Sequence, residues 1–223
     1  MNNFNLYLGR YIRVELPGKV HHTGLLIDFG TDIIVLYNGK DFYYIPLTHI
    51  HLLYPIDDED DEEIEYPSNK PFENEKDPLS VRKILTNSKG IFSEIMITNK
   101  AIHGYVTNVL NDYFVFYSPI YQTIYVSFQH LKWLIPYKPD QVPYSLDRTT
   151  FTSYPSTLSL ARSLDEQLKK LIGKVVILDL GENSRKVGQL KGYKGSMVEL
   201  ITAREEVSFV NFKHVKSVQY PSK

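Results

Sequence analysis

Residues 210–215 read VNFKHV, and the same pattern occurs twice earlier in the chain, as VSFQHL at residues 126–131 and as IPLTHI at residues 45–50. In each copy two apolar residues alternate with other residues, and a histidine and a further apolar residue follow. An alternation with a period of two is typical of a β-strand that buries one face. The three copies therefore predict three equivalent strands, each followed by a histidine.

Two glycines precede each histidine at nearly constant spacing, so the repeat is longer than the motif. The second glycine follows the first by 14 or 15 residues, and the histidine follows the second glycine by 25 or 26 residues. The first glycines are Gly9, Gly90 and Gly173, the second ones are Gly24, Gly104 and Gly188, and the histidines are His49, His130 and His214. A fixed period indicates tandem copies of one structural unit, and we expect three.

The third copy indicates how a unit is built. Its apolar stretches predict five short strands, at residues 175–178, 187–191, 197–200, 207–210 and 218–220. Gly188 lies inside the second strand and predicts a sharp bend or a bulge there. Five antiparallel strands in about 50 residues bury a core only if the sheet curls onto itself. The sequence therefore predicts a mainly β chain of three small, strongly bent units.

Helical periodicity is limited to two segments, each directly before a unit. Leucines at spacings of four and three predict an amphipathic helix at 158–171, and residues 79–85, capped by Asp77 and Pro78, predict a shorter one. The predicted domains are a first unit at 1–56, a linker at 57–78, a second unit at 79–137, a linker at 138–157, and a helix with the third unit at 158–223. The acidic run at 57–65 is a solvated spacer, a docking site for a basic partner or a weak binding site for cations.

The composition excludes several classes of protein. A hydrophobic content of 43% suffices for packed cores, and a formal net charge of -1 gives no global field that would attract nucleic acid or an anionic membrane. The absence of cysteine excludes disulfides and thiolate chemistry. No apolar run is long enough to span a membrane and no signal peptide begins the chain, so we expect synthesis in the cytoplasm. The 17 tyrosines fit either a β-rich composition or a functional use as contact surface or in oxidative cross-links.

No arrangement of residues in the sequence predicts an enzyme, a cofactor site or a metal site. The chain has no glycine-rich phosphate loop, no serine elbow and no HExxH motif. His21 and His22 are adjacent and would point to opposite faces of a strand, and the pair His49 and His51 does not recur in the other units. Two interpretations remain for the recurrent histidines His49, His130 and His214: each ring caps the turn between the fourth and fifth strands, or each contacts a ligand.

The third unit resembles the bacterial Sm-like RNA chaperones of the Hfq family. The resemblance runs from the helix around Leu168 through Gly188 to the segment FKHVKS at residues 212–217. It implies that Lys213 and His214 contact single-stranded RNA, with His130 and His49 at the equivalent positions. Thr48 and Gln129 replace the lysine in the other units, and a single lysine gives little of the phosphate neutralisation on which RNA affinity depends.

Nearly the whole chain resembles spore coat protein B of Bacillus and its relatives, which carry tandem units of this kind. The resemblance lies in the mid-unit glycine and in a closing strand, HVKSV at 214–218, HLKWL at 130–134 and HIHLL at 49–53. It implies a mainly β fold of three tandem small Sm-like (SH3-like) five-stranded barrels, with short helices before units two and three. It also implies a non-enzymatic structural protein of the spore coat, without cofactors, whose partners are other coat proteins or further copies of itself. Binding of single-stranded RNA is the alternative.

Barrels of the Sm type leave the fourth and fifth strands with open edges, which can pair between neighbouring barrels. Two features of the sequence argue against a closed arrangement here. The acidic run concentrates like charge near the first junction, and both linkers exceed the roughly 4–6 residues that are common within compact domains. We therefore expect an open arrangement in which the second and third units pack together through the helix at 158–171, while the first is more mobile.

Overall fold

The described residues of the computed structural model are 3–56, 64–72, 78–141, 143–145 and 159–221, and they form one antiparallel sheet of fifteen strands. The prediction of a mainly β chain with few helices is confirmed. The acidic residues 57–63 and most of the second linker, residues 146–157, lie outside the described residues. Within the described part of the chain, every helix is too short or too polar to cross a bilayer.

The fifteen strands fall into three units of five, and each unit contains one copy of the sequence repeat. The first unit holds β1 (Tyr11–Leu16), β2 (Val20–Phe29), β3 (Ile33–Tyr37), β4 (Phe42–Pro46) and β5 (Leu52–Pro55). The second holds β6 (Phe92–Met96), β7 (Ala101–Val109), β8 (Tyr113–Ser118), β9 (Gln122–Ser127) and β10 (Trp133–Pro136). The third holds β11 (Val175–Leu178), β12 (Val187–Lys194), β13 (Met197–Ile201), β14 (Val207–Asn211) and β15 (Ser217–Gln219).

Within each unit the strands lie side by side in the order fourth, third, second, first, fifth. The first strand therefore pairs on both sides, as β1 does with β2 and β5. Between units, the fifth strand of one unit pairs with the fourth strand of the preceding unit: β10 pairs with β4, and β15 pairs with β9. Among the described strands, the sheet ends at two unpaired edges, β14 in the third unit and β5 in the first.

The mid-unit glycines let the second strand of each unit pass close to the end of the third strand. A Cβ atom at Gly24, Gly104 or Gly188 would lie 2.4, 2.0 or 2.3 Å from the carbonyl oxygen of Tyr37, Tyr117 or Ile201. The ladder shifts its register shortly afterwards, between Leu26 and Asp28, between Val106 and Asn108, and between Leu190 and Gly192. The predicted bulge is thus offset from the glycine. The glycine gives the neighbouring backbone room, and the extra residue further on bends the strand.

Two short helices, α1 (Val81–Asn87) and α2 (Leu164–Lys169), precede the second and third units. Both begin after a serine whose side chain accepts a hydrogen bond from a backbone N–H of the first turn. In α2 this serine is Ser163, so the helix is shorter than the predicted 158–171. In α1 the capping residue is Ser80 rather than the predicted Asp77 and Pro78, and Asp77 itself lies outside the described residues.

A carboxylate from the preceding unit holds each helix in place. Asp32 Oδ1 accepts a hydrogen bond from the backbone N–H of Val81 at 2.8 Å, and Asp112 Oδ1 accepts one from Leu164 at 2.9 Å. Both aspartates lie eight residues after the mid-unit glycine, so the contact belongs to the repeat. The first N–H groups of a helix have no partner within the helix, and the positive end of its dipole favours an anion there.

The hydrophobic cores cross the boundaries between the units. One core joins the first two units and includes Tyr44 and Phe116. Another joins the last two units and includes Tyr113 and Leu168 of α2. A third surrounds Trp133, again between the first and second units. The expected packing of the second unit on the third through the helix is present. The first unit also packs on the second, through the pairing of β4 with β10 and two shared cores, which the length of the linker did not indicate.

Candidate functional site

The three recurrent histidines lie in equivalent places, at the ends of short 3₁₀ turns between the fourth and fifth strands. These turns are Leu47–His49, Phe128–His130 and Phe212–His214. His49 and His130 are half-buried at the junctions between units, whereas His214 is exposed near the end of the sheet. Each unit thus places one histidine directly after its fourth strand, and the fourth strands of the first two units are the ones that pair with the following unit.

The His130 ring contacts the third unit rather than its own turn. Its Nε2 lies 3.1 Å from the backbone carbonyl oxygen of Lys213. The ring thus bonds to backbone between a fourth and a fifth strand, as the capping interpretation expects, but the turn is Phe212–His214 of the next unit. His49 occupies the corresponding place in the first unit, beside the backbone of Gln129, and this backbone acts to raise the pKa of the ring. The Nε2 atom of His49 has no hydrogen-bond partner within the described residues. Gln129 and Lys213 each directly precede the histidine of their own unit.

Burial lowers the pKa of both junction histidines. For His130, the carbonyl of Lys213 and the carboxylate of Asp179 oppose this effect, and the charges of Lys216 and His214 add to it. The charge of His130 in turn lowers the pKa of His49. The junctions therefore hold these rings as neutral imidazoles at neutral pH.

A fourth histidine, His22, fills the junction between the first and second units. Its ring centroid lies 4.6 Å from that of Tyr43 and 4.7 Å from that of Trp133, the only tryptophan of the chain. Burial, with a smaller effect of His21, lowers the pKa of His22 to about 4. In the sequence, His22 stands out only as the neighbour of His21. No local pattern indicates a packed ring here, because both ring partners are distant in sequence.

The structure places the predicted RNA-contact residues in two different environments. Lys213 and His214 are exposed beside β14, whereas His49 and His130 are half-buried at the junctions. The carbonyl of Lys213 is already engaged by His130. Burial, and then the charge of Lys216, lower the pKa of Lys132. Three lysines, Lys132, Lys213 and Lys216, therefore lie at the junction of the second and third units, and the carboxylate of Glu182 is close enough to Lys132 to oppose the effect of Lys216.

A cavity of about 840 Å³ lies between the first and second units. Aromatic rings, prolines and lysines line it: Tyr37, Phe42, Phe92, Tyr105, Tyr137, Pro67, Pro71, Lys40, Lys70 and Lys138. One of these rings, Tyr137, lies next to a histidine: its Oη is 3.0 Å from Nδ1 of His103.

Burial and the nearby Glu94 raise the pKa of Tyr137, which keeps the phenol protonated. A protonated phenol is a poor nucleophile.

In the part of the chain that the structure describes, no three histidine, aspartate or glutamate side chains are grouped to hold a metal ion.

Comparison with known proteins relates this chain to one family. A family model described as the YwrJ third domain matches residues 163–218, which comprise α2 and nearly all of the third unit. The protein named Uncharacterized protein YwrJ, from Bacillus subtilis (strain 168), is 40% identical to this chain over 231 aligned residues. The alignment covers 99% of this chain and 100% of that relative, so the similarity extends over all three units.

Proposed function

The chain belongs to the YwrJ family, and we propose that it is a non-enzymatic assembly protein of the bacterial spore coat that acts through protein–protein contacts of three tandem Sm-like barrels. Three recurring features support the Sm-like assignment. The strand order is the same in every unit, the second strand bends next to a glycine, and a short helix precedes the second and third units. In every unit the fifth strand lies next to the first, although the two are the most distant strands of that unit in sequence.

One observation carries the assembly proposal: this chain joins its own units by pairing edge strands. The fifth strand of a unit pairs with the fourth strand of its predecessor at both internal junctions. Of the described strands, one of each kind keeps an unpaired outer edge, β14 at one end of the sheet and β5 at the other. An exposed edge presents a row of unpaired backbone groups to another chain unless it is blocked.

The spore coat location rests on the resemblance to the spore coat protein B family, and 17 tyrosines suit a contact-rich or cross-linked layer. Fractionation of sporulating cells of the native host tests it. We expect an antibody against the chain to detect it in spore coat extracts and not in the cytosol of vegetative cells. Abundance in that cytosol combined with absence from coat extracts would refute the proposal.

Binding of single-stranded RNA is the second candidate, and the surface that carries Lys132, Lys213 and Lys216 favours it. If this surface binds RNA, uridine- or adenine-rich oligonucleotides bind at low salt, and added salt weakens the complex. Lys213→Ala then reduces the affinity, whereas Lys191→Ala, a change at an exposed lysine of β12, does not. No binding at low salt would refute this candidate.

A further inference from the structure

Among the described strands, the two outer edges of the sheet are a fourth strand, β14, and a fifth strand, β5. At each internal junction, a fourth strand pairs with a fifth strand. We propose that a second copy of this chain docks head to tail, pairing its β5 with β14 of the first copy and so continuing the sheet. This inference names a partner for the proposed function and rests on its assembly claim, independently of the spore coat location. Three equivalences between the internal junctions and the two ends support it.

The first equivalence is register. At the junction between the second and third units, Val218 pairs with Tyr125, and at the junction between the first and second units, Leu134 pairs with Tyr44. In both cases the residue four positions after the histidine of the later unit faces the residue five positions before the histidine of the earlier unit. The same rule pairs Leu53 of the second copy with Phe209. Its antiparallel neighbours are then Leu52 with Val210 and Tyr54 with Ser208.

The second equivalence is burial. Tyr44 and Tyr125 are 2% and 3% exposed at the internal junctions, whereas Phe209, at the same position in the third unit, is 46% exposed. On the other strand, Trp133 and Ser217 are 6% and 0% exposed, whereas Leu52, at the same position in the first unit, is 50% exposed. Both ends of the sheet thus expose apolar side chains at the positions that are buried where units meet.

The third equivalence is the histidine contact. His130 reaches the carbonyl of Lys213, and His49 lies beside the backbone of Gln129. In both cases the partner directly precedes the histidine of the following unit. His214, the equivalent histidine of the third unit, is exposed. Its partner in the proposed contact is the backbone of Thr48 of the second copy, and Thr48 is also exposed in the single chain.

One part of the internal junctions is missing at the ends. Asp32 and Asp112 hold the helix of the following unit, and the equivalent position of the third unit is Ser196. Among the described residues, a 3₁₀ turn, Asn3–Tyr7, stands before the first unit in the place where the later units have an α-helix. The contact between copies therefore lacks the carboxylate clamp and is weaker than the internal junctions, so assembly depends on concentration. Because the two edges differ, the contact is heterologous and either closes a ring or continues as a filament.

Cysteine cross-linking tests the register in the full-length chain, which contains no cysteine of its own. Leu53→Cys and Phe209→Cys variants are purified separately, mixed and oxidised. We expect a covalent heterodimer at roughly fivefold or higher yield than from a mixture of Leu53→Cys and Ser208→Cys, because a shift of one residue turns the side chain to the opposite face. Equal yields from both mixtures, or a dimer formed mainly by Leu53→Cys alone, would overturn the proposal.

Light scattering of the unsubstituted chain gives a measurement that does not depend on the cysteines. We expect a mass above that of one chain that rises with concentration, and its return to one chain with Phe209→Lys. The control is Ile120→Lys, which changes an exposed residue of the β8–β9 turn away from both edges and keeps the larger mass. A single-chain mass at every concentration would refute the contact. Absence from coat extracts would refute only the proposed location and would leave an in-register cross-link intact.

Discussion

The Nε2 atom of His130 lies 3.1 Å from the backbone carbonyl oxygen of Lys213, and this contact ties the second unit to the third beside the β9–β15 pairing. Replacing His130 by alanine removes this hydrogen bond between the two units. We expect His130→Ala to lower the free energy of unfolding by about 1 kcal/mol, the usual net value of one hydrogen bond. Urea unfolding followed by circular dichroism measures it.

His214→Ala is the matched control for that change, because His214 is the equivalent residue at the exposed end of the sheet. We expect its effect at low protein concentration to be within about 0.5 kcal/mol of zero. Equal losses in the two variants would mean that the contact between His130 and Lys213 contributes nothing beyond the turn itself.

The carboxylates that clamp the helices give a second prediction. Asp112→Ala removes the acceptor of the Leu164 N–H at the start of α2, and we expect it to cost about 1 kcal/mol of stability. Asp112→Asn keeps a side-chain oxygen at the same place and loses only the charge, so it should retain most of that stability. If the asparagine variant were as unstable as the alanine variant, the charge rather than the hydrogen bond would be responsible.

Much of this architecture is readable from the sequence, because its signals are local. Alternating apolar residues around His49, His130 and His214 mark the fourth strands, and the spacing of Gly24, Gly104 and Gly188 marks the repeat. The joining of the units is not readable in this way. Pairing of β4 with β10 depends on two edges that meet through the fold, and the length of the linker between them suggests separation instead.

In the candidate site too, local features can be predicted from the sequence and contacts between units cannot. The turn position of the histidines follows from the strand pattern on either side. The partner of His130 does not, since Lys213 is far away in sequence, and neither does the packing of His22 against Trp133. The start of α2 is set by the Ser163 cap, whereas the leucine spacing extends past it to Leu160.

The mid-unit glycines give a third prediction. Gly104→Ala would place a Cβ atom 2.0 Å from the carbonyl oxygen of Tyr117, which is backbone and has little room to move. We expect a loss of about 3 kcal/mol or more, or failure to fold. Gly9→Ala is the comparison, because Gly9 has a φ of +74° and open space around its Cβ position, so only the backbone strain of about 1 kcal/mol applies. A thermal shift for Gly104→Ala no larger than that for Gly9→Ala would contradict the close approach.

The fourth prediction concerns pH and the junction between the first and second units. Burial lowers the pKa of His22 to about 4, whereas the ring in an unfolded chain titrates near 6.5. Between these values the unfolded chain binds more protons than the folded one, so stability present above pH 6.5 is lost as the pH falls toward 4. The full shift corresponds to about 3 kcal/mol, which partial exposure of the ring reduces to about 2 kcal/mol.

His22→Phe keeps a ring between Tyr43 and Trp133 and cannot be protonated. We expect the difference in unfolding free energy between pH 7 and pH 4.5 to be smaller in this variant than in the unsubstituted chain by about 1–2 kcal/mol. His49 and His130 titrate in both proteins, so the comparison isolates His22. The fluorescence of Trp133 reports the same event, because His22 lies 4.7 Å from it and a protonated ring there changes its emission before global unfolding. An identical pH dependence in the two proteins would show that His22 is not held neutral at this junction.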